Sequence, residues 1–148
     1  MTRAHSIEVK ADSLLDLLIG QCADLETLLA LARREEEAAE SRNFDALLRV
    51  TEERATLGER LEIYHRQIAE MRLRLGEAAE PALRSEAAAR ATLLVTGILE
   101  SDARSGPLLL ATRQEMADEC LRLDQARRGT NAYLQGTPKT PVACDRKA

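Results

Sequence analysis

The chain has 148 residues and a net charge of −4, with 31% charged but only 2% aromatic residues. Acidic and basic residues are interspersed, which excludes the strongly positive surface that binds nucleic acid. No apolar run approaches the ~20 residues of a membrane span. Alanine, leucine, glutamate and arginine dominate, and no segment alternates apolar and polar residues as a strand does. We therefore expect an all-α cytoplasmic protein that stays out of the membrane.

The first predicted helix begins near Asp12 or Ser13, because either side chain can cap the first free amides of a helix. Residues 1–11 show no period, so we expect a flexible N-terminus. The helix is densely apolar from its start, at Leu14, Leu15, Leu17, Leu18, Cys22, Leu25, Leu28, Leu29 and Leu31. A stripe this wide predicts that other segments pack against the helix from more than one side. Gly20 within it costs about 1 kcal/mol relative to alanine, which packing must outweigh.

A charged run, Arg33–Glu40, follows and lacks large apolar residues. We therefore expect the first helix to leave the core there. Ser41-Arg42-Asn43 is predicted to form a short turn, with Asn43 capping the next helix. A connection this short makes the first two helices antiparallel.

The second predicted helix runs from Phe44 to Leu75 and ends at Gly76, which suits a left-handed C′ residue. Its apolar residues recur three and four apart, at Leu47, Val50, Leu57, Leu61, Tyr64, Ile68, Met71 and Leu75. This spacing predicts a coiled-coil seam on one face of a helix about 45 Å long. Arg54 is the one misfit, because it occupies a seam position.

A linker over residues 76–81, in which Pro81 can start a helical turn, precedes a third helix over about residues 85–128. The Gly106-Pro107 pair interrupts it, but the apolar pattern resumes in phase at Leu109, so we expect a kinked helix and not two helices. Residues 129–148 are rich in glycine, proline and small polar residues, which predicts a flexible, disordered tail. The fold prediction is an elongated antiparallel three-helix bundle or coiled coil, with one domain over residues 12–128.

Three polar residues of the third helix, Ser101, Asp102 and Ser105, fall on its seam. Counting antiparallel helices against each other places Arg54 opposite them. A buried arginine is costly alone, but a facing carboxylate offsets much of that cost and fixes the register. We therefore predict a structural polar layer with an Arg54–Asp102 pair.

Catalytic and metal-binding motifs are lacking in the sequence. No glycine-rich phosphate loop precedes a helix, and no nucleophile has a recognisable setting. Glu62 and His65 have the spacing of half a di-iron site, but no second copy exists, so an exposed histidine is the simpler interpretation. Three widely spaced cysteines, Cys22, Cys120 and Cys144, are interpreted as reduced thiols. We expect no enzyme activity, no metal and no cofactor.

The end of the third helix is the candidate working surface. If the helices alternate in direction, the third draws level with Phe44 near residue 117, yet its apolar stripe continues beyond that point. An amphipathic helix end without an internal partner predicts docking of another protein. The same heptads also fit a structural coiled-coil protein that closes its seams by self-association, for instance as a homodimer, and the spacing alone does not separate these alternatives.

Three segments carry a resemblance to the flagellar export chaperones of the FlgN type. They are Asn43-Phe44-Asp45-Ala46-Leu47-Leu48 between two long helices, Asp102-Ala-Arg-Ser105-Gly-Pro-Leu108-Leu109, and Ala132-Tyr133-Leu134-Gln135-Gly136. The middle run is similar to an Asn-x-x-Asn-x-x-Leu-Leu pattern, although Asp102 and Ser105 replace its asparagines and Pro107 is not part of it. The resemblance covers about residues 12–136.

The resemblance implies a cytoplasmic chaperone that binds hook-associated junction proteins before type III secretion in flagellum biogenesis. By position in that family, the residues that contact cargo would be Leu109, Met116, Cys120 and Leu123. Tyr133 would dock on the export gate. The implied mechanism is protein binding only.

Overall fold

The structure, a computed structural model, describes residues 2–136 apart from the side chains of Thr2, His5, Ile7 and Val9. Helix α1 spans Thr2–Glu40 and helix α2 spans Phe44–Leu75. A 3₁₀ turn (Gly76–Ala79) and a short helix α3 (Glu80–Leu83) lead into helix α4 (Glu86–Gly136). No strand occurs over residues 2–136, and the prediction of an all-α helical bundle is confirmed.

Helix α1 begins earlier than predicted and remains buried closer to its C-terminal end than predicted. Residues 2–11 are helical, so the predicted start at Asp12 or Ser13 is wrong. This segment contains neither glycine nor proline, and a capping residue does not end a helix whose preceding turn is already helical. The expectation that α1 leaves the core in its charged run is also wrong, because Glu35, Ala38 and Ala39 are buried.

The turn between α1 and α2 has the predicted chemistry. The Asn43 Oδ1 atom accepts a hydrogen bond from the Ala46 backbone N–H at 3.1 Å, which caps α2. Arg42 adopts a φ of 56°, a left-handed conformation that helps the chain reverse. This confirms Asn43 as the N-cap and brings α2 back along α1.

The segment after α2 is more ordered than a linker. Gly76 has a φ of 56° and a ψ of −124°, so φ is positive as predicted but ψ lies outside the left-handed helical region. Ala79 and Ala82 are buried in a cluster with Leu14 and Leu18 of α1. Small alanine side chains let these two short turns approach α1 closely, and the predicted linker therefore closes one end of the core.

Three apolar clusters define the direction of the helices over residues 1–109. The first contains Leu14, Leu18, Ala79 and Ala82, with Ile68, Met71, Leu75, Leu83, Ala87 and Ala88 packed against them. The second contains Leu31, Val50 and Leu57, with Leu28 and Leu61. The third contains Ala38, Ala39 and Leu47, with Ala46, Leu108 and Leu109. Residue numbers rise together in α1 and α4 and fall in α2, which is an up-down-up arrangement.

Gly20 has a packing role in this core. A Cβ atom at this position would lie 2.7 Å from the Tyr64 Oη atom and 3.1 Å from Cε1 of the same ring. The absence of a side chain therefore allows the Tyr64 ring to lie against α1. This close approach offsets the intrinsic cost of glycine inside a helix.

Helix α4 is continuous through Pro107 and ends at Gly136, beyond the predicted end near residue 128. Pro107 is exposed, while Leu108 and Leu109 pack on the third cluster and hold the turn that follows the proline. The chain divides into two compact units, one ending at Leu109 and the next beginning at Leu110. The predicted domain over residues 12–128 includes parts of both. Of the predicted tail, residues 129–136 are helical and 137–148 lie outside the described residues.

Candidate functional site

Arg54, the misfit of the α2 seam, lies in a layer of polar side chains from α1, α2 and α4. Its Nη1 and Nη2 atoms donate hydrogen bonds to the two carboxylate oxygens of Asp102 at 2.9 and 3.0 Å. Nη1 also donates to Glu35 Oε1 at 2.7 Å. Two parallel bonds to one carboxylate give a strong, directional arginine pair. The structure thus brings Arg54 and Asp102 together and adds Glu35.

Hydrogen bonds and neighbouring carboxylates keep this arginine ionised, although burial opposes its charge. The Arg54 side chain is 20% exposed, and the side chains of Glu35 and Asp102 are 8% and 39% exposed. The hydrogen bonds to Asp102, with the charges of both carboxylates, raise the pKa of Arg54 despite the opposing effect of burial. A permanently charged arginine cannot exchange a proton near neutral pH, so Arg54 contributes a fixed positive charge to this layer.

A second ion pair completes the layer. Arg104 Nε donates to Glu36 Oε1 at 2.8 Å, and Ser101 Oγ donates to Glu36 Oε2 at 3.0 Å. The hydrogen bond from Arg104 is the main reason that the pKa of Glu36 is lowered. The predicted layer residue Ser101 therefore binds α1. Ser105 is buried, and its hydroxyl donates to the Asp102 carbonyl at 3.5 Å.

Three members of the layer, Glu35, Glu36 and Arg104, were not predicted from the sequence. The two glutamates belong to the charged run Arg33–Glu40, which was expected to leave the core. The spacing of the sequence does indicate that Glu35 is buried. It lies four residues after Leu31 and three before Ala38, so it continues the buried row of α1. Arg104 offered no such signal, because a long side chain reaches the layer from outside the seam.

The C-terminal part of α4 exposes a row of apolar side chains. Met116 is 44% exposed and Leu123 is 60% exposed, and Cys120 between them is also exposed. Their spacings of four and three place them on one helix face. Every residue from Arg113 to Gly136 is exposed. Leu109, the other predicted cargo contact, is half-buried in the third cluster, so we assign it to the core.

Tyr133 and Leu134 lie on different faces of the same helix. Both are exposed, at 73% and 64%. Leu134 follows Met116 by five helical turns and shares its face, whereas Tyr133 lies about 100° around the helix. We define the α4 row as Met116, Cys120, Leu123 and Leu134.

The remaining candidate groups do not form a chemical site. Glu62 and His65 are exposed, and no cluster of His, Cys, Asp or Glu within residues 2–136 can hold a metal. Cys22 is buried, and its Sγ donates to the Ala87 carbonyl at 3.0 Å. Burial raises the pKa of this thiol, which lowers the fraction present as the nucleophilic thiolate. Cys144 lies outside the described residues.

Two further findings complete the description of the chain. Between residues 2 and 136, no helix combines the length and apolar character needed to cross a membrane. No family model, curated protein or solved structure matches the chain.

Proposed function

We propose that this chain is a cytoplasmic export chaperone of the FlgN type, which binds hook-associated junction proteins before type III secretion. The observation that supports it best is the α4 row, which presents four apolar or sulfur-containing side chains on one face of an exposed helix. Such a face is a common docking surface for an amphipathic helix of a partner. The sequence resemblance supplies the identity of the partner.

The energetics favour a partner for this row. Full burial of a methionine or leucine side chain contributes about 1.5–3 kcal/mol relative to exposure. Met116, Leu123 and Leu134 forgo much of this while they are exposed. A client helix that covers all three would therefore gain several kcal/mol towards binding, before the cost of association is subtracted.

The proposed mechanism is binding without catalysis. The α4 row covers an apolar helix of the junction protein and thereby prevents its premature assembly. Tyr133 lies about 100° away from the row, so it stays accessible while a client is bound. We assign Tyr133 to docking on the export gate, where the client would be released.

Co-purification with candidate junction proteins tests this function. Leu123→Asp places a charge in the row and should abolish client binding while helicity stays normal. Leu73→Asp is the matched control, because Leu73 is 86% exposed on α2 and lies outside the row. Tyr133→Ala should retain the client but weaken gate docking. If Leu123→Asp unfolds the protein, the row is core and the proposal fails. Normal client binding by that variant also refutes it.

The alternative is a structural coiled-coil protein that closes the row by self-association. The heptad spacing of Met116, Cys120 and Leu123 supports it as well, because coiled coils use the same spacing. Sedimentation equilibrium separates the two functions. A dimer that dissociates on Leu123→Asp, in a protein that binds no junction protein, would favour the structural alternative.

A further inference from the structure

Two arginines share the helix face of the α4 row, one just before the row and one within it. Arg113 and Arg127 lie seven residues before and seven after Cys120, so they share its heptad position. No carboxylate occupies this position, or the heptad position of Met116 and Leu123, between residues 113 and 136. The face that carries the row is therefore apolar with positive charges.

These two arginines also differ from the other two in the same part of α4. Arg122 forms an ion pair with Glu119, and Arg128 pairs with Asp124 at 3.1 Å, and both pairs lie beside the row. Within residues 2–136, no carboxylate pairs with Arg113 or Arg127. Among the described residues, the arginines on the face of the row are therefore the two that have no ion-pair partner.

We infer that the α4 row binds an acidic amphipathic helix, whose apolar face carries two carboxylates opposite Arg113 and Arg127. This inference rests on the proposed function and specifies the chemistry of the client. The two arginines are fourteen residues apart, which is about 21 Å along a helix. Matching carboxylates therefore lie about four turns apart on the client, with apolar residues between them.

A second copy of this chain fits the row poorly. Self-pairing would bring Arg113 and Arg127 of both copies into one interface whose seam positions contain no carboxylate, and like charges at seam positions oppose association. An acidic helix instead converts both arginines into charge-assisted contacts. Association with such a client is steered by charge and weakens as salt rises.

Two synthetic helical peptides test the inference with the full-length chain. Both have leucine at their apolar heptad positions, except at two positions fourteen residues apart, which are glutamate in one peptide and glutamine in the other. Fluorescence anisotropy should show that the glutamate peptide binds about tenfold more tightly at low salt, and this preference should nearly vanish at about 1 M salt. The variant with both Arg113→Gln and Arg127→Gln should bind the two peptides equally. Arg122→Gln, the control, should keep the preference.

The outcomes separate this inference from the proposed function. Equal binding of both peptides to the unmodified chain, or a preference that survives loss of Arg113 and Arg127, overturns the acidic-client inference. Leu123→Asp would still test the row itself. If junction proteins bind but neither peptide does, the inference fails and the proposed function stands. If neither peptides nor junction proteins bind, both fail.

Discussion

Replacing Arg54 with leucine should destabilise the bundle, although it restores the apolar heptad pattern of α2. Arg54 is the hydrogen-bond donor to both Glu35 and Asp102. The substitution removes the cation and leaves two carboxylates facing a leucine. Leaving Glu35 without its cation costs more free energy than leaving Asp102 without it, because the Glu35 side chain is only 8% exposed.

The size of the stability loss follows from how deeply these side chains are buried. Removing one partner of a buried ion pair costs about 3–5 kcal/mol. The lower end applies here, because Asp102 is 39% exposed and can be hydrated again. The new leucine buries apolar surface that contributes about 1.5 kcal/mol. We therefore expect Arg54→Leu to lower the free energy of unfolding by about 1.5 kcal/mol at neutral pH.

Urea denaturation followed by circular dichroism measures this change. Adding Glu35→Leu should recover most of the loss, because the apolar pair leaves no buried charge. If Arg54→Leu is as stable as the parent at neutral pH, or if Glu35→Leu does not restore stability, the assigned role of the layer is wrong.

Three further predictions concern packing and pH. Gly20→Ala should destabilise by about 1 kcal/mol, because its Cβ atom would meet the Tyr64 ring, and Tyr64→Phe should partly relieve this. Gly58→Ala should instead stabilise the protein by about 0.5–1 kcal/mol, because no atom lies within 4 Å of the new Cβ atom. Urea titrations in which Gly58→Ala is less stable than Gly20→Ala would contradict the packing around these two glycines. Leu14→Ala should cost about 3 kcal/mol, because Leu14 is 0% exposed; a loss well under 1 kcal/mol would contradict its place in the core. The pKa of Glu36 is lowered from 4.5, so its ion pair stabilises the fold above pH 4.5 and the contribution disappears as the pH falls through the lower, folded-state pKa. Glu36→Gln should therefore lose less stability than the parent in that acid range, and parallel pH profiles would refute this.

The heptad rows made much of the fold predictable. Spacings of three and four residues located α2 correctly, and the short turn at Asn43 fixed the antiparallel direction of α1 and α2. The same heptad count predicts Arg54 opposite Asp102, and the structure confirms this pair. Periodicity and short connections therefore carry most of the topological information in an all-helical chain.

Boundaries and polar burial were less predictable, for identifiable reasons. Composition assigned residues 129–136 to a flexible tail, yet they continue α4, because the single Gly129 lowers helix propensity without ending a helix. The run Arg33–Glu40 looked solvated, since local sequence does not show which distant cations approach it. Glu36 is paired by Arg104, a residue far away in the chain, and only the folded register reveals such a partner.

The polar layer also bears on the register of α4 against α1 and α2. Apolar seams repeat every seven residues, so leucine and alanine contacts alone would tolerate a slip of α4 by one heptad. Such a slip would move Asp102 away from Arg54 and Ser101 away from Glu36, and it would leave the buried Glu35 with a different neighbour. The charged contacts therefore favour the register in which Leu109 packs against the cluster of Ala38, Ala39 and Leu47. Because that register determines which seam residues of α4 up to Leu109 pack against α1 and α2, the polar layer helps to decide which of those residues are buried.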